Sequence, residues 1–245
     1  MADAVEQWRD YLTSGRSFAV SADRSITEAK LRANRTGIIF AAALAALVLA
    51  GFILLLVTDA GRLVTYLLVG LFVISLLVVL LRLVGVRKRL RACASAADPL
   101  VIVTAESLTF SGVPPILWRD VLGVAASDLV DDYAAAVGVN RWLKRAAVRT
   151  GGAMIGLTMG LERAKAYKAG ATGGLAHDLV AVTDGNGGIS VFLDNAMSID
   201  QARQVVTAIK VAAWLNGVGF LAANQAKDGA EIAAKWLKGE RTPRA

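Results

Sequence analysis

The sequence has very few of the residues that build metal centres and disulfide frameworks. Its 245 residues include one cysteine, Cys93, and one histidine, His177. One cysteine excludes an intrachain disulfide, and one cysteine with one histidine excludes a structural zinc site made only of these residues. His177 has no cysteine or glutamate beside it, so we interpret it as structural. We expect no metal and no cofactor.

Motifs of the common catalytic folds are also missing. The chain contains no GxSxG, GxxxxGK[ST], HExxH or CxxC pattern. These patterns supply the nucleophile, phosphate-binding loop, metal ligands or redox thiols of large enzyme classes. Residues 217–222 fit a GxGxxA pattern, but they follow a predicted helix, and dinucleotide binding needs this pattern after a strand. We therefore predict no catalytic residue and a protein that is not an enzyme.

Charge is absent from two long runs. Residues 36–58 and 63–81 contain no Asp, Glu, Lys, Arg or His. As helices they extend about 35 Å and about 29 Å, close to the roughly 30 Å hydrocarbon core of a bilayer. The four residues between them force an antiparallel hairpin, so we predict two transmembrane helices. The missing ionisable residues argue against an ion or proton pathway, and so against a transporter or pump.

Basic residues flank this hairpin on both sides, whereas its turn contains only Arg62, near Asp59. Positive charge is concentrated on the cytoplasmic side of membrane proteins. We therefore place both termini in the cytoplasm and the protein in the inner membrane of a bacterial cell. The flanking basic residues are Arg16, Arg24, Lys30, Arg32 and Arg35 before the hairpin, and Arg82, Arg87, Lys88, Arg89 and Arg91 after it.

Two local patterns refine the hairpin. Ser25 and Glu28 have the spacing of a capping box, which predicts that the first helix begins near residue 26. Small residues at four-residue spacing let helices approach closely, and Ala42, Ala46 and Ala50 have this spacing. We interpret these alanines as a contact face toward the second span, with self-association as the alternative.

From Pro99 onward the sequence changes to short strands followed by a helix. The run Asp-Gly-Asn-Gly-Gly at 184–188 predicts a hairpin turn, because these residues tolerate positive φ. Ser198 and Gln201 have capping-box spacing before an apolar stripe that ends near Asn216. This order predicts an α+β domain, an antiparallel barrel or sandwich closed by a C-terminal helix. The predicted strands are 100–104, 107–111, 116–118, 121–129, 177–183 and 189–193.

One stretch of this domain resembles a known family. The order Glu106-Ser107-Leu108, then a turn, then Ile116-x-Trp118-x-Asp120-Val121 is similar to the opening of bacterial pleckstrin-homology-like (PH-like) domains. Such domains often follow a two-helix membrane hairpin in proteins of the YcxB-like kind. The resemblance implies a bent, partly open barrel of about seven strands capped by a helix. It also implies binding or scaffolding at the membrane, without catalysis.

A basic, glycine-containing insertion interrupts the strand pattern at about 131–176. We predict that it is helical, with Gly152, Gly156 and Gly160 forming two GxxxG steps on one face. Three interpretations stay open: contact with the cytoplasmic leaflet, packing on a partner helix, or a flexible basic loop. The candidate membrane-surface or partner residues are Arg141, Trp142, Lys144, Arg145, Arg149, Gly152, Gly156, Gly160, Arg163, Lys165 and Lys168.

The net charge of +7 favours anionic partners. We expect the anionic headgroups of membrane lipids, together with a protein partner or a homo-oligomer. No nucleic acid is expected, because membrane topology already explains the basic residues beside the spans. We predict a non-catalytic protein-interaction or lipid-sensing module, with an accessory subunit of a larger membrane complex as the alternative.

We divide the chain into five parts. They are an amphipathic segment at 1–35, the hairpin at 36–81, a basic linker at 82–98, the PH-like domain at 99–223 and an amphipathic tail at 224–245.

Overall fold

The computed structural model of the chain describes residues 2–58, 63–95, 98–135, 138–151, 154–168, 176–181, 185–222 and 226–243. Two long helices project from a mixed α+β domain. The helices are α1 (Ala2–Thr13), α2 (Arg24–Thr58), α3 (Leu63–Ala94), α4 (Val130–Ala134), α5 (Gly138–Arg149), α6 (Ala164–Lys168), α7 (Ile199–Leu215) and α8 (Ala226–Leu237).

The described strands form two sheets. The first has the order β1-β2-β3-β4 and is antiparallel. The second has the order β7-β8-β6-β5-β9 and is antiparallel except for the parallel β5–β9 pair. The strands are β1 (Phe18–Val20), β2 (Val101–Val103), β3 (Ser107–Phe110), β4 (Ile116–Leu117), β5 (Val121–Asp128), β6 (Ile155–Leu161), β7 (Ala176–Ala181), β8 (Gly187–Phe192) and β9 (Phe220–Ala222).

This architecture confirms the α+β class and all six strands predicted from sequence. Strands β1, β6 and β9 were not predicted. The described strands form two sheets and no closed barrel, so the barrel alternative is not observed. The PH-like assignment stays a prediction. Helix α7 begins after a complete capping box, in which Ser198 Oγ accepts the Gln201 amide hydrogen and the Gln201 side chain accepts that of Ser198, as predicted.

The core lies between the sheets and α7. Helix α7 contacts β1 and β2 of the first sheet and β5, β6 and β9 of the second. Its apolar stripe is buried, with Ala202, Val205 and Ile209 fully inaccessible. Trp118 is also buried, and its indole Nε1 donates to the Thr104 carbonyl at 3.1 Å. This tryptophan is therefore a core residue, and it lies in the turn that directly follows β4.

The two long helices are inserted between two neighbouring strands. Strand β1 precedes α2 and strand β2 follows α3, yet they pair in antiparallel register from Phe18–Val103 to Val20–Val101. Helix α1 packs on α7, with Leu12 fully buried. The N-terminal segment is therefore part of the same domain as the residues after the hairpin, and both ends of the hairpin return to one body.

Helices α2 and α3 are long and apolar enough to cross a membrane, with 35 and 32 residues. They pack along each other as an antiparallel pair. The alanines that α2 buries are Ala41 and Ala45. The predicted contact face of Ala42, Ala46 and Ala50 is exposed, so its expected packing on the second span is wrong.

The predicted cap of α2 also needs correction. Helix α2 begins at Arg24, and Ser25 lies inside its first turn. The carboxylate of Asp23 accepts the backbone N–H of Ser25 at 2.9 Å and its hydroxyl at 2.6 Å. The hydroxyl hydrogen bond lowers the pKa of Asp23. An aspartate therefore caps the helix two residues earlier than the serine–glutamate spacing predicted.

The largest correction concerns the predicted helical insertion. Helices α4, α5 and α6 do lie within 131–176, but residues 155–161 form β6, at the centre of the second sheet between β5 and β8. Uncharged residues of a 12-residue run suit a strand buried on both faces as well as a helix. Glycine favours neither a helix nor a strand. Residues 155–161 are therefore a strand because they pair with β5 and β8.

Candidate functional site

A buried ion pair joins α2 to the β-domain. The ammonium Nζ of Lys30 lies 3.1 Å from Oδ2 of Asp194, and the two side chains are only 12% and 2% exposed. Lys30 also donates to the Asp194 carbonyl at 2.8 Å and to Oδ1 of Asn195 at 2.9 Å. These additional hydrogen bonds offset the cost of removing both charges from water. We call Thr27, Lys30, Asn34, Asp194 and Asn195 the joint.

The joint also fixes the start of β6. The second carboxylate oxygen of Asp194, Oδ1, accepts the amide hydrogens of Met154 and Ile155 at 3.1 and 3.2 Å. The Thr27 hydroxyl donates to the Asn195 carbonyl at 3.0 Å. One carboxylate therefore ties the first long helix to the central strand of the second sheet. Lys30, one of the basic residues that flank the hairpin, is therefore paired within the protein.

Asn34 connects three helices one turn further along α2. Its Nδ2 donates to the Leu83 carbonyl of α3 at 3.2 Å and to the Thr150 carbonyl, just after α5, at 2.9 Å. A Cβ added at Gly37 would lie 3.2 Å from Cγ2 of Thr150. The C-terminal end of α5 therefore contacts α2 at residues 34–37, where the uncharged run of α2 begins.

Helix α5 is strongly basic and carries an exposed tryptophan. Trp142 is 67% exposed, and Arg141, Arg145 and Arg149 are exposed beside it. Lys144 is half-buried and donates to the Asp132 carbonyl at 3.1 Å. At 100° per residue, Trp142, Arg145 and Arg149 lie on one face of the helix, because their spacing is i, i+3 and i+7.

That face forms one wall of a cleft of about 440 Å³ between α2 and α5. The opposite wall is α2 at the point where its charged residues end. We call this feature the α2–α5 cleft. The side chains of Arg145 and Arg149 form no ion pair or hydrogen bond with any residue that the structure describes. The cleft is lined by Ala33, Thr36, Trp142, Arg145, Ala146, Arg149 and Thr150.

The structure brings together only part of the predicted site. Arg141, Trp142, Lys144, Arg145 and Arg149 share α5. Arg163 is exposed after the far end of β6, and Lys165 and Lys168 lie in α6. The seven residues of β6 separate the two groups by about 20 Å. The basic residues therefore do not form a single surface, and the side chains of Lys165 and Lys168 lie outside the described residues.

The predicted glycine face has a different role. Gly156 and Gly160 are buried on β6, and Gly152 lies outside the described residues. A Cβ at Gly160 would overlap the indole ring of Trp236. These positions do not form a helical GxxxG contact. Instead, Gly160 provides space for α8 to pack on the second sheet, so the C-terminal helix folds back on the domain.

Burial leaves the one thiol unreactive. Cys93 is 1% exposed in the core near the joint. Burial raises the pKa of the Cys93 thiol to about 11, although the nearby charge of Lys30 acts in the opposite direction. A thiol in this environment stays protonated at neutral pH.

Another strongly shifted group is also explained by local structure. Burial raises the pKa of Tyr167 to about 12, and its hydroxyl donates to Oδ2 of Asp120 at 2.7 Å, which adds to the effect. This hydrogen bond attaches α6 to the turn before β5. Among the described residues, no group of three or more His, Cys, Asp or Glu side chains could hold a metal ion. The α2–α5 cleft, with Arg145 and Arg149 in its wall, is an arrangement that can bind an anion.

No protein-family model, no curated protein and no solved structure matches this chain. The resemblance to YcxB-like proteins therefore stays a prediction.

Sequence reasoning missed the joint. Its α2 residues Thr27, Lys30 and Asn34 have the i, i+3, i+7 spacing of one helical face. A polar stripe of this kind next to an apolar span was a usable signal for a buried polar contact. The partners Asp194 and Asn195 had no such signal, because they lie 164 and 165 residues from Lys30.

Proposed function

We propose that this protein is a non-catalytic binding module anchored in the inner membrane of a bacterial cell, with its domain held against the anionic cytoplasmic leaflet. The observation that carries the proposal is the position of α5. This basic helix with an exposed tryptophan is fixed beside the point where the uncharged run of α2 begins.

The pairing of β1 with β2 supports a two-span topology. Both strands belong to one sheet, so both ends of the hairpin must lie on the same side of a bilayer. The flanking arginines and lysines favour the cytoplasm as that side. The exposed side chains of α2 and α3 in the uncharged runs, such as Phe40 at 69% and Leu71 at 63%, suit contact with lipid tails.

The chemistry of α5 supports contact with lipid headgroups. Tryptophan is enriched at membrane interfaces because it combines an apolar ring with a polar N–H. Each basic residue near an anionic leaflet contributes about 1 kcal/mol of attraction. Arg141, Arg145 and Arg149 provide three such charges on a helix that the joint holds at a fixed height. The domain can therefore respond to the anionic lipid content beneath it.

We further propose that the α+β domain is of the PH-like type. Its support is the packing of α7 against strands of both sheets, together with the residues from Glu106 to Val121 that carry the resemblance. In such a domain, the two sheets and the helix form a rigid body. The basic helix α5 is then an addition between β5 and β6.

The experiment measures the depth of Trp142. The full chain is reconstituted in nanodiscs of phosphatidylcholine with or without phosphatidylglycerol, and lipids that carry a quencher near the headgroup are added. We expect quenching of tryptophan fluorescence that is stronger with phosphatidylglycerol and is reduced in Trp142→Phe. The charge variant R141Q/R145Q/R149Q should reduce the difference between the two lipid mixtures.

Trp214→Phe provides the matched control. Trp214 is 44% exposed near the C-terminal end of α7, whereas the joint lies at its N-terminal end. The 17 residues of α7 separate these ends by about 25 Å. This variant should keep the headgroup quenching of the wild-type chain. Equal quenching in wild type and Trp142→Phe would contradict the proposal.

The exposed alanine face of α2 favours a second candidate, a subunit or homo-oligomer that assembles within the membrane. Ala42, Ala46 and Ala50 face away from α3, and small residues at this spacing support close helix contacts. Ala46→Leu should then reduce the complex size on native gels, whereas Leu47→Ala, at an exposed position about 100° further around the helix, should not. An unchanged size for Ala46→Leu would exclude this face as the interface.

A further inference from the structure

We infer that the α2–α5 cleft is a discrete binding site for one anionic glycerophospholipid. This inference rests on the proposed function, since it requires α5 to lie at headgroup height. It adds a defined ligand, a stoichiometry of one lipid per chain and the two residues that bind its phosphate. General attraction to a charged surface requires none of these.

The phosphate would bind between Arg145 and Arg149. These arginines are one helical turn apart on the face that lines the cleft. Like charges at this spacing repel each other on a helix. An anion placed between them removes this repulsion, and the planar guanidinium groups bind phosphate oxygens in a two-pronged geometry. Neither group has a partner among the described residues that would compete with the anion.

The size of the cleft suits a headgroup. Its volume of about 440 Å³ is within the range of small-molecule sites. Trp142 is at its edge, where an indole ring can cover the glycerol region of a lipid and direct its N–H toward the headgroup. Ala33, Thr36 and Ala146 also line the cleft, and their short side chains leave room for a headgroup.

The direction in which the cleft continues distinguishes a phospholipid from free phosphate. Thr36, in its wall, begins the uncharged run of α2. Ile39 and Phe40, at the next turn, are 60% and 69% exposed. A phospholipid can place its phosphate at the two arginines and its acyl chain along Ile39 and Phe40, so it contacts both the cationic cleft and the apolar surface beside it. Inorganic phosphate contacts only the arginines. An acidic peptide leaves the apolar side chains of Ile39 and Phe40 uncovered.

Rigidity of the two walls makes the site specific. The Asn34 hydrogen bond to the Thr150 carbonyl and the close contact of Gly37 with Thr150 fix the end of α5 against α2. One turn earlier on α2, Lys30 is paired with Asp194, which follows β8 and accepts the Ile155 amide hydrogen at the start of β6. The cleft is therefore formed before a lipid enters it, so the lipid does not bear the cost of ordering its walls.

Native mass spectrometry of the full chain in mild detergent tests the inference. Dioleoylphosphatidylglycerol is the probe, and dioleoylphosphatidylcholine is the zwitterionic comparison. We expect one phosphatidylglycerol to remain bound under conditions that remove phosphatidylcholine. In the double variant R145Q/R149Q, the affinity should fall about tenfold or more for each arginine lost, because hydrogen bonds to charged groups are strong.

The matched control is R163Q/K238Q, which removes the same net charge. Arg163 is exposed at the far end of β6 and Lys238 is exposed after α8, and neither lines the cleft. This variant should retain the lipid. Thermal unfolding of both double variants shows that loss of lipid does not follow from loss of structure. Equal lipid retention by the two folded variants would overturn the inference.

A third measurement separates lipid from free phosphate. Excess inorganic phosphate should leave the bound phosphatidylglycerol in place, and displacement by phosphate would overturn the lipid assignment. The outcomes also separate this inference from the proposed function. Headgroup quenching of Trp142 without a retained lipid would refute only the cleft site, whereas no quenching would refute the leaflet position of α5 itself.

Discussion

Lys30 and Asp194 form a buried ion pair between the first long helix and the turn after β8, with Nζ and Oδ2 3.1 Å apart. The same carboxylate accepts two amide hydrogens at the start of β6. A long helix pair attached only by β1 and β2 could pivot about short connections. The ion pair and the Asn34 hydrogen bonds add fixed points at two further levels of α2. The orientation of the domain relative to the hairpin is therefore set by polar contacts.

The first prediction concerns this pair. Lys30→Met leaves the Asp194 carboxylate buried without its counter-charge, so it should lower the free energy of unfolding by about 3–5 kcal/mol. The double variant K30M/D194N should recover part of this loss, because no charge remains and an asparagine Oδ1 still accepts the amides of Met154 and Ile155. Urea unfolding in detergent, followed by circular dichroism, measures both effects.

Lys238→Met is the surface control for this prediction. Lys238 is exposed after α8 and its substitution should change stability by less than about 0.5 kcal/mol. A loss in Lys30→Met no larger than in this control would show that the buried pair does not stabilise the joint.

The second prediction concerns the pH dependence of Cys93 modification. With its pKa raised to about 11 by burial, the thiol should have about a hundredfold smaller thiolate fraction at pH 8 than a thiol at the ordinary value of 9.0. Alkylation by iodoacetamide should therefore be slow in the folded chain and rapid in urea. Mass spectrometry of the alkylated chain gives both rates.

The same shift has a consequence for stability with a defined sign. A raised pKa in the folded state means that the folded chain retains the thiol proton when the unfolded chain has lost it. This contribution to stability is complete below pH 9 and decreases as the pH rises toward 11. In Cys93→Ala, stability over this interval should fall less steeply than in the wild-type chain. Parallel curves would contradict the assignment.

The third prediction concerns Gly160 and Trp236. Trp236 is 2% exposed, and its Nε1 donates to the Thr242 hydroxyl at 2.9 Å. Gly160→Ala should overpack this contact and cost about 1–3 kcal/mol. It should also detach α8, which limited proteolysis near the C-terminus detects. In the background of Trp236→Ala, the same Gly160→Ala change should cost little.

Non-additivity is the decisive readout for that pair. If Gly160→Ala costs the same with and without the tryptophan ring, the glycine does not provide space for Trp236. Gly156 lies beside Ser127 and Phe192 within the sheet, so its substitution should lower stability and leave complex size unchanged.

The fourth prediction concerns topology. Thr58 ends α2, and Glu106 lies in the loop between β2 and β3. Because β1 and β2 pair, a cysteine at 58 and a cysteine at 106 should lie on opposite sides of the membrane. In intact cells, a membrane-impermeant maleimide should label Thr58→Cys, and it should label Glu106→Cys only after the cells are broken. The buried Cys93 contributes little background. Labelling of both positions in intact cells would contradict the two-span topology.

Sequence patterns predicted the parts of the fold whose signals are local. The charge-free runs predicted α2 and α3, and the Ser198–Gln201 spacing predicted the start of α7, because length, periodicity and capping depend on neighbouring residues. The six predicted strands had β-branched residues or alternation. Strands β1 and β9, of three residues each, are too short for such a pattern, and their pairing with distant strands makes them strands.

The candidate site was predicted only in part, because only its local features are visible in the sequence. The basic residues and Trp142 of α5 were identified from composition and spacing. Their separation from Arg163 was not, because it depends on β6 lying between them. The glycines at 156 and 160 were assigned to a helix face, since a run of small apolar residues fits either structure until neighbouring strands pair with it.

The amino-acid sequence by itself determined the two apolar helices, their short turn, the order of most strands and the cationic character of α5. These properties follow from hydrophobicity, charge and turn chemistry within a few residues. The folded chain alone determined that β1 pairs with β2 across the hairpin, that Lys30 meets Asp194 and that α5 lies against the start of the uncharged run. Each of these contacts joins residues far apart in the chain, and a contact of that kind forms only when the whole core fixes both partners.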